Sequence, residues 1–357
     1  MVGTFHSQRT PPQRTSRVKH RAINWSSALS YERALRKLIA KPTPALTFRS
    51  FAGLSAIDAA DLPKVSFLSL SDDYRLGYRH YTGRSNVHVI LVHGAGCFGD
   101  QLHTTARQIA QSNHANVYTL NLRGHGHSDG ERGHAVDYHE QLVDDVAEFI
   151  AAVRARDSCA QIVLAGHSAG GGVVLAVSRE TVRSELSGIV FLAPYVGLGS
   201  NTIRPHFGGW VKVRPWAVRA IMLANLLGIK RYNHRTIADF NVEACLHDRR
   251  FVRSWSFNTV QAFGPGRWLA KTTPIPPELP VLLITGAADE CFDQSRYQAA
   301  FEILAPHAEC PNVGASGHWG ILVHPLALTA FTGWLDRTFP QPAMARQTST
   351  KRRALAA

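Results

Sequence analysis

Ile162-Val163-Leu164-Ala165-Gly166-His167-Ser168-Ala169-Gly170-Gly171-Gly172-Val173-Val174-Leu175-Ala176 is the stretch whose reading decides the fold of this 357-residue chain. A four-residue aliphatic run is too short for a helix and reads as a buried strand. The run that follows the serine is small and apolar and reads as a helix. A G-x-S-x-G pentapeptide between the two puts the serine on a tight strand-to-helix turn. Its flanking glycines leave room where strand and helix come close. The same pattern occurs at Gly126-His127-Ser128-Asp129-Gly130, but loop residues surround it: Arg123-Gly124-His125 before and Glu131-Arg132-Gly133 after. Ser168 is therefore the candidate nucleophile, and Ser128 reads as a loop residue.

The same strand–helix rhythm runs outward on both sides. Strands are expected at 65–70 and 76–82 around the Ser71-Asp72-Asp73 turn, then at 87–92, 117–122, 162–165 and 188–192. Further strands are expected at 281–285 and 309–313. Helices are expected at 100–113, 137–155, 169–180, 293–304 and 324–338. Strands that are apolar nearly throughout are covered on both faces, and their alternation with helices implies parallel pairing. The expected fold is α/β: a mostly parallel eight-stranded sheet flanked by helices, with a helical cap inserted after the sixth strand. That cap, 200–275, shows no strand rhythm, and Pro215 suits a helix start ahead of the apolar run 216–227. The chain divides into a basic, largely disordered segment 1–43 with a short helix, core 44–199, cap 200–275, core 276–339 and a disordered basic tail 340–357. Ser30 would cap the short helix, with Ala34, Leu35, Leu38 and Ile39 on one face. Residues 1–29 also loosely resemble an organelle transit peptide, being rich in Arg and poor in acids.

A serine hydroxyl needs a base to take its proton and a third group to orient that base. In a parallel sheet both partners are expected just past the carboxyl ends of later strands. Asp289 in Gly286-Ala287-Ala288-Asp289-Glu290 and His318 in Ser316-Gly317-His318-Trp319-Gly320 meet that condition, with Asp293 and His324 as stand-ins at helix starts. His93-Gly94-Ala95-Gly96 follows the 87–92 strand, so the N–H groups of Ala95 and Ala169 are the expected oxyanion donors. His93 then reads as structural. The run Gly94-Ala95-Gly96-Cys97-Phe98-Gly99 also matches a dinucleotide fingerprint, but the next strand ends Leu120-Asn121-Leu122-Arg123 without the acid that would hold a ribose. No cofactor and no metal are expected, and His125 and His127 read as loop scaffold.

Net charge is +13, which would suggest a polyanion partner if it were spread over the protein. It is not. Residues 1–41 hold nine Lys/Arg against Glu32 alone, and 340–357 hold four with no acid; within the rest, 200–275 carry twelve basic and three acidic groups. The remaining core is acidic, which argues against nucleic-acid binding. Five cysteines without a C-x-x-C pair argue against a disulfide framework or zinc knuckle. With no 18-residue apolar run and no signal-like block near the start, the expected location is cytoplasmic, with a membrane-peripheral variant. Two readings of the cap stay open: an apolar face packed on the core, or a basic amphipathic surface that docks on anionic lipid. Cys97 and Cys291 are read either as small buried hydrophobes or as a redox-sensitive rim.

These residues resemble the α/β-hydrolase superfamily, and within it the monoacylglycerol lipase and lysophospholipase-like serine hydrolases, over roughly 65–199 and 276–338. His93-Gly94-Ala95-Gly96, the loop from Arg123 to Gly133, the elbow at Ser168, Gly286-x-x-Asp289 and Gly317-His318 carry the likeness. The resemblance implies Ser168 as nucleophile, Asp289 as acid, His318 as base, and Ala95 with Ala169 as oxyanion donors. It implies hydrolysis of a small acyl ester such as a monoacylglycerol or lysophospholipid. A thioesterase, lactonase, amidase or acyltransferase with the same triad is the alternative, and a non-catalytic binding protein a third reading. Where the family often has Met after the nucleophile this chain has Ala169, which enlarges the acyl pocket. Trp216, Met222 and Leu226 of the cap are the expected substrate contacts.

Overall fold

A computed structural model describes residues 59–113, 115–198, 200–241, 250–265 and 273–340. The short helix expected after Ser30, the segment 1–43 and the tail from 341 onward lie outside them.

Seven strands form the main sheet: β1 (Val65–Ser69), β2 (Arg75–Tyr81), β3 (Val87–Val92), β4 (Asn116–Leu120), β5 (Gln161–His167), β6 (Gly188–Leu192) and β10 (Val281–Ile284). Their order is β1-β2-β4-β3-β5-β6-β10. β1 and β2 pair antiparallel at one edge, and every pairing from β4 to β10 is parallel. β3 is buried at every residue and β5 at all but its first, because helices cover both faces of the sheet. The crossovers include α1 (His103–Asn113), α2 (Gln141–Arg156) and α3 (Ala169–Val177), and α6 (Tyr297–Leu304) and α7 (Pro325–Thr338) follow the last strand. Leu142, Val146, Phe149, Ile150 and Val153 give α2 one buried stripe, while Arg154 and Arg156 sit in its last turn, where the helix dipole favours them. α3 is short and apolar nearly throughout, and all of it but Ala176 is buried.

Two expectations are corrected. Instead of an eighth strand at 309–313, the described residues show a single parallel bridge of Glu309 to Leu282. Pro311 has no N–H to extend that ladder, so pairing stops there. The cap is not purely helical. Beside α4 (Pro215–Leu226) and α5 (Phe257–Ala262) it holds a three-stranded antiparallel sheet of β7 (Val211–Val213), β8 (Thr236–Phe240) and β9 (Ser254–Ser256). Strands of three to five residues are too short to show an alternating pattern. Their register is fixed by a small apolar cluster of Val218, Ile221, Ile237 and Phe257.

Register places the site. Val92 stands level with Gly166 and Leu120, His167 with Leu192, and Leu192 with Ile284. The strands therefore end along one edge, and the residues that follow them emerge together.

Candidate active site

Ser168 sits where β5 ends and α3 begins, at φ 54° and ψ −122°. Such a conformation is strained for a residue with a side chain, and it is held from both sides. The Ser168 N–H donates to Leu192 O (3.0 Å), and the Ser168 carbonyl accepts from Tyr195 N–H (2.7 Å) and Gly171 N–H (2.9 Å). The glycines flanking the serine allow close approach: a methyl at Gly166 would meet the Gly170 carbonyl at 2.5 Å, and one at Gly170 would meet the His93 carbonyl at 2.5 Å. Gly94 lies against the serine, since a methyl there would stand 2.9 Å from Ser168 Cβ. Among the described residues no acceptor takes the N–H of Ala95 or of Ala169.

Asp289 and His318 meet on two adjacent loops. Gly286 packs so closely on the Ser316 carbonyl that no side chain fits, and the N–H groups of Ala287 and Ala288 donate to Gly314 O and Ser316 O, both at 3.1 Å. This stitching brings His318 Nδ1 to 2.9 Å from Asp289 Oδ2, with both side chains buried. The other carboxylate oxygen accepts the N–H groups of Cys291 and Phe292, each at 2.7 Å. Arg204 Nε donates to the Asp289 carbonyl (2.9 Å), and Glu290 accepts the His318 N–H (2.7 Å). His167 Nε2 lies 3.0 Å from the His318 carbonyl, so the residue before Ser168 touches the His318 loop directly.

The remaining candidates separate cleanly. Ser128 Oγ donates to Asn121 O (2.6 Å) and accepts Gly77 N–H (2.9 Å), so its hydroxyl is committed to backbone. Asp293 caps the turn at Gln294–Arg296, and His324 precedes Pro325 at the start of α7, as expected of helix-start residues. His93 Nε2 accepts Leu122 N–H, which leaves Nδ1–H to donate to Gly94 O. Burial lowers its pKa to about 4. His125 is likewise buried and neutral, accepting Trp255 Nε1–H at 2.9 Å, with its pKa pushed well below the usual value by burial first and then by His93. Burial, followed by the charge of His318, does the same to His167. In the dinucleotide-like run, Gly99 N–H is taken by the Asn121 side chain at 2.9 Å.

The three cap residues expected to touch substrate all lie on α4. Trp216 is 79% exposed and Leu226 44%, while Met222 packs on the cap's own cluster. Other aromatics reach the site loops. Trp210 donates to Ala95 O at 3.3 Å and packs on Trp319, Phe240 lies against Gly96, and Phe292 lies 5.2 Å from the His318 ring. Sequence gave little warning of Trp210, since the contact depends on a cap fold that the pattern did not reveal. Cys97 and Cys291 are both buried, and burial raises the Cys97 thiol to about 12 and pushes the Cys291 thiol well above the usual value. Buried protonated thiols behave as small hydrophobes, which favours that reading over a redox-sensitive rim. Asp289, Cys291 and His318 are also the described residues whose donor atoms group tightly enough to hold a metal ion.

A family model described as serine aminopeptidase, S33, matches residues 83–311. The chain is 35% identical over 109 residues to a monoacylglycerol lipase of Mycolicibacterium smegmatis, a match covering 30% of this chain and 38% of that lipase. The shared part is thus well under half of that relative. A putative esterase/lipase of Haemophilus influenzae is 23% identical over 248 residues, covering 68% of this chain and 82% of its own. Among solved structures, a soluble variant of monoglyceride lipase from Saccharomyces cerevisiae, in complex with a substrate analogue, superposes with a TM-score of 0.62 at 17% identity. That likeness covers 84% of this chain and 99% of the lipase, and it is a likeness of fold.

Proposed function

The chain belongs to the serine aminopeptidase S33 family of α/β hydrolases, and we propose that it hydrolyses carboxylic esters of the monoacylglycerol or lysophospholipid kind through Ser168, His318 and Asp289. The observation that carries this reading is the buried Asp289–His318 pair, 2.9 Å long, on loops that touch the strand end bearing Ser168. Asp289 holds the imidazole with Nδ1–H toward itself, so Nε2 is the basic nitrogen. His318 takes the Ser168 proton as Oγ attacks the ester carbonyl. The N–H groups of Ala95 and Ala169 stabilise the tetrahedral oxyanion. His318 then protonates the leaving alcohol, and water releases the acid from the acyl-enzyme by the same route. His93 and His125, buried and neutral, support the oxyanion loop from beneath.

The cap supports a lipid surface as the place where substrate is met. Trp216, Leu223, Leu226, Leu227 and Ile229 are all exposed, and residues 186–238 contain no acid among seven Lys/Arg. An exposed apolar strip on a segment whose own charges are all basic suits an anionic interface. Binding to anionic vesicles is expected to weaken as salt rises; salt-independent binding, or equal binding to neutral vesicles, would remove this part of the reading.

The main reading is tested by p-nitrophenyl esters of graded chain length beside thioester and amide analogues. Ester turnover well above the other two supports it. Preference for thioester or amide moves the same machinery to the alternative chemistry.

A further inference from the structure

Cys291 contributes its backbone N–H to Asp289, but its thiol has no part in acyl transfer. That thiol nevertheless stands among the groups that orient the base. The Cys291 Sγ, a carboxylate oxygen of Asp289 and an imidazole nitrogen of His318 lie within 4.8 Å of one another, and all three residues are buried. We propose that Asp289, Cys291 and His318 form an inhibitory site for a borderline divalent transition metal, with zinc(II) the best fit.

Thiolate, imidazole and carboxylate are the three donor types that bind zinc, at about 2.0–2.3 Å. Tetrahedral bonds of that length set donors roughly 3.3–3.8 Å apart. His318 Nδ1 and Asp289 Oδ2, 2.9 Å apart, would part by a few tenths of an ångström to reach that range, and a ring nitrogen and a carboxylate oxygen already lie within 4.8 Å of Sγ. Asp289 is well prepared for the role. Its Oδ1 is held by two backbone N–H groups, which leaves Oδ2 as the oxygen facing His318. Glu290, held at the His318 N–H, adds a second carboxylate that favours a cation nearby. A mixed set containing sulfur and nitrogen selects against magnesium and calcium, which prefer oxygen.

Binding would silence the base by a definite route. The metal takes the Nδ1 lone pair, the ring proton moves to Nε2, and the thiol proton leaves to solvent. His318 then has no lone pair facing Ser168, and the serine keeps its proton. The inhibition rests on the proposed catalytic roles; the binding does not.

The probe is cobalt(II), which reports a bound thiolate through a sulfur-to-metal charge-transfer band. Full-length protein is expected to show that band, Ser168→Ala to keep it, and Cys291→Ala and Cys291→Ser to lose it. Zinc is expected to inhibit ester turnover reversibly by chelator, with the half-inhibiting concentration rising about tenfold or more in either Cys291 variant, the loss of roughly 1.4 kcal/mol in binding. A missing band in the unaltered protein, or a band or zinc sensitivity unchanged by both variants, overturns the site. If the protein proves not to cleave esters, the cobalt measurements still decide the binding.

Discussion

Two stretches of this chain share the letters Gly-His-Ser-x-Gly, and they end in opposite chemical states. At Ser128 the hydroxyl both donates and accepts within 3 Å, bracing Gly77 against Asn121, while the neighbouring Asp129 pairs with Arg75. At Ser168 the backbone groups are held on both sides, and the side chain sits on a strained turn beside the loop that begins at His93 and Gly94. The preceding histidines differ in the same way. His167 is buried and reaches the His318 carbonyl, whereas His127 is partly exposed beside Asp100. A short motif is therefore placed for the proposed chemistry only where a strand delivers it to a shared edge. Elsewhere the same residues are scaffold.

The largest effect should separate the two serines outright. Ser168→Ala is expected to lower kcat by several orders of magnitude, up to about 10⁶-fold, and Asp289→Asn by about 10⁴-fold, with circular dichroism unchanged. Ester kinetics on purified variants check both. Substantial activity in Ser168→Ala would erase the contrast.

Acid sensitivity should expose the buried histidines around the active stretch. His93, His125 and His167 have pKa values lowered by burial, His93 to about 4. The unfolded chain takes these protons first, near pH 6.5. The stability they allow is therefore present above about pH 6.5 and lost as pH falls toward 4, at up to roughly 1.4 kcal/mol per pH unit for each imidazole. Urea melts at pH 7.5, 6 and 5 should show that decline, with a shallower slope in His167→Asn. A flat profile over this window would contradict the buried neutral state.

At the other stretch the expected change is structural and smaller. Ser128→Ala leaves the buried Gly77 N–H without its acceptor, a cost of about 1–3 kcal/mol. Thermal melting should register a lower Tm while ester turnover at 25 °C is retained. Smallest of all, Asp293→Ala removes the cap of a single turn, about 1 kcal/mol, with the Asp289–His318 pair left in place. A large loss of activity there would return Asp293 to candidacy as the acid.

Much of this contrast was legible in the residues, for local reasons. β5 and α3 are uniform in character, so their type and the turn between them follow from a few positions. The positions of Ser168 and Asp289 follow from where β5 and β10 end, whereas His318 was expected after a strand of which only the Glu309 bridge forms. What stayed hidden depends on distant pairing. β7, β8 and β9 hold three, five and three residues and exist because the cap's apolar cluster gathers them. The eighth strand expected at 309–313 stops at Pro311, which has no N–H to continue the ladder. Trp216 looked like a substrate contact because it is large and apolar, yet it faces solvent, and Trp210, six residues earlier, packs on Ala95 and Trp319 instead.

Covalent labelling tests the central claim most directly. A fluorophosphonate allowed to react with the folded protein, followed by proteolysis and mass spectrometry, should place one adduct on the peptide bearing Ser168, and prior His318→Ala substitution should suppress it. An adduct on the peptide bearing Ser128, or ester turnover that persists in protein with no adduct at Ser168, would contradict the account.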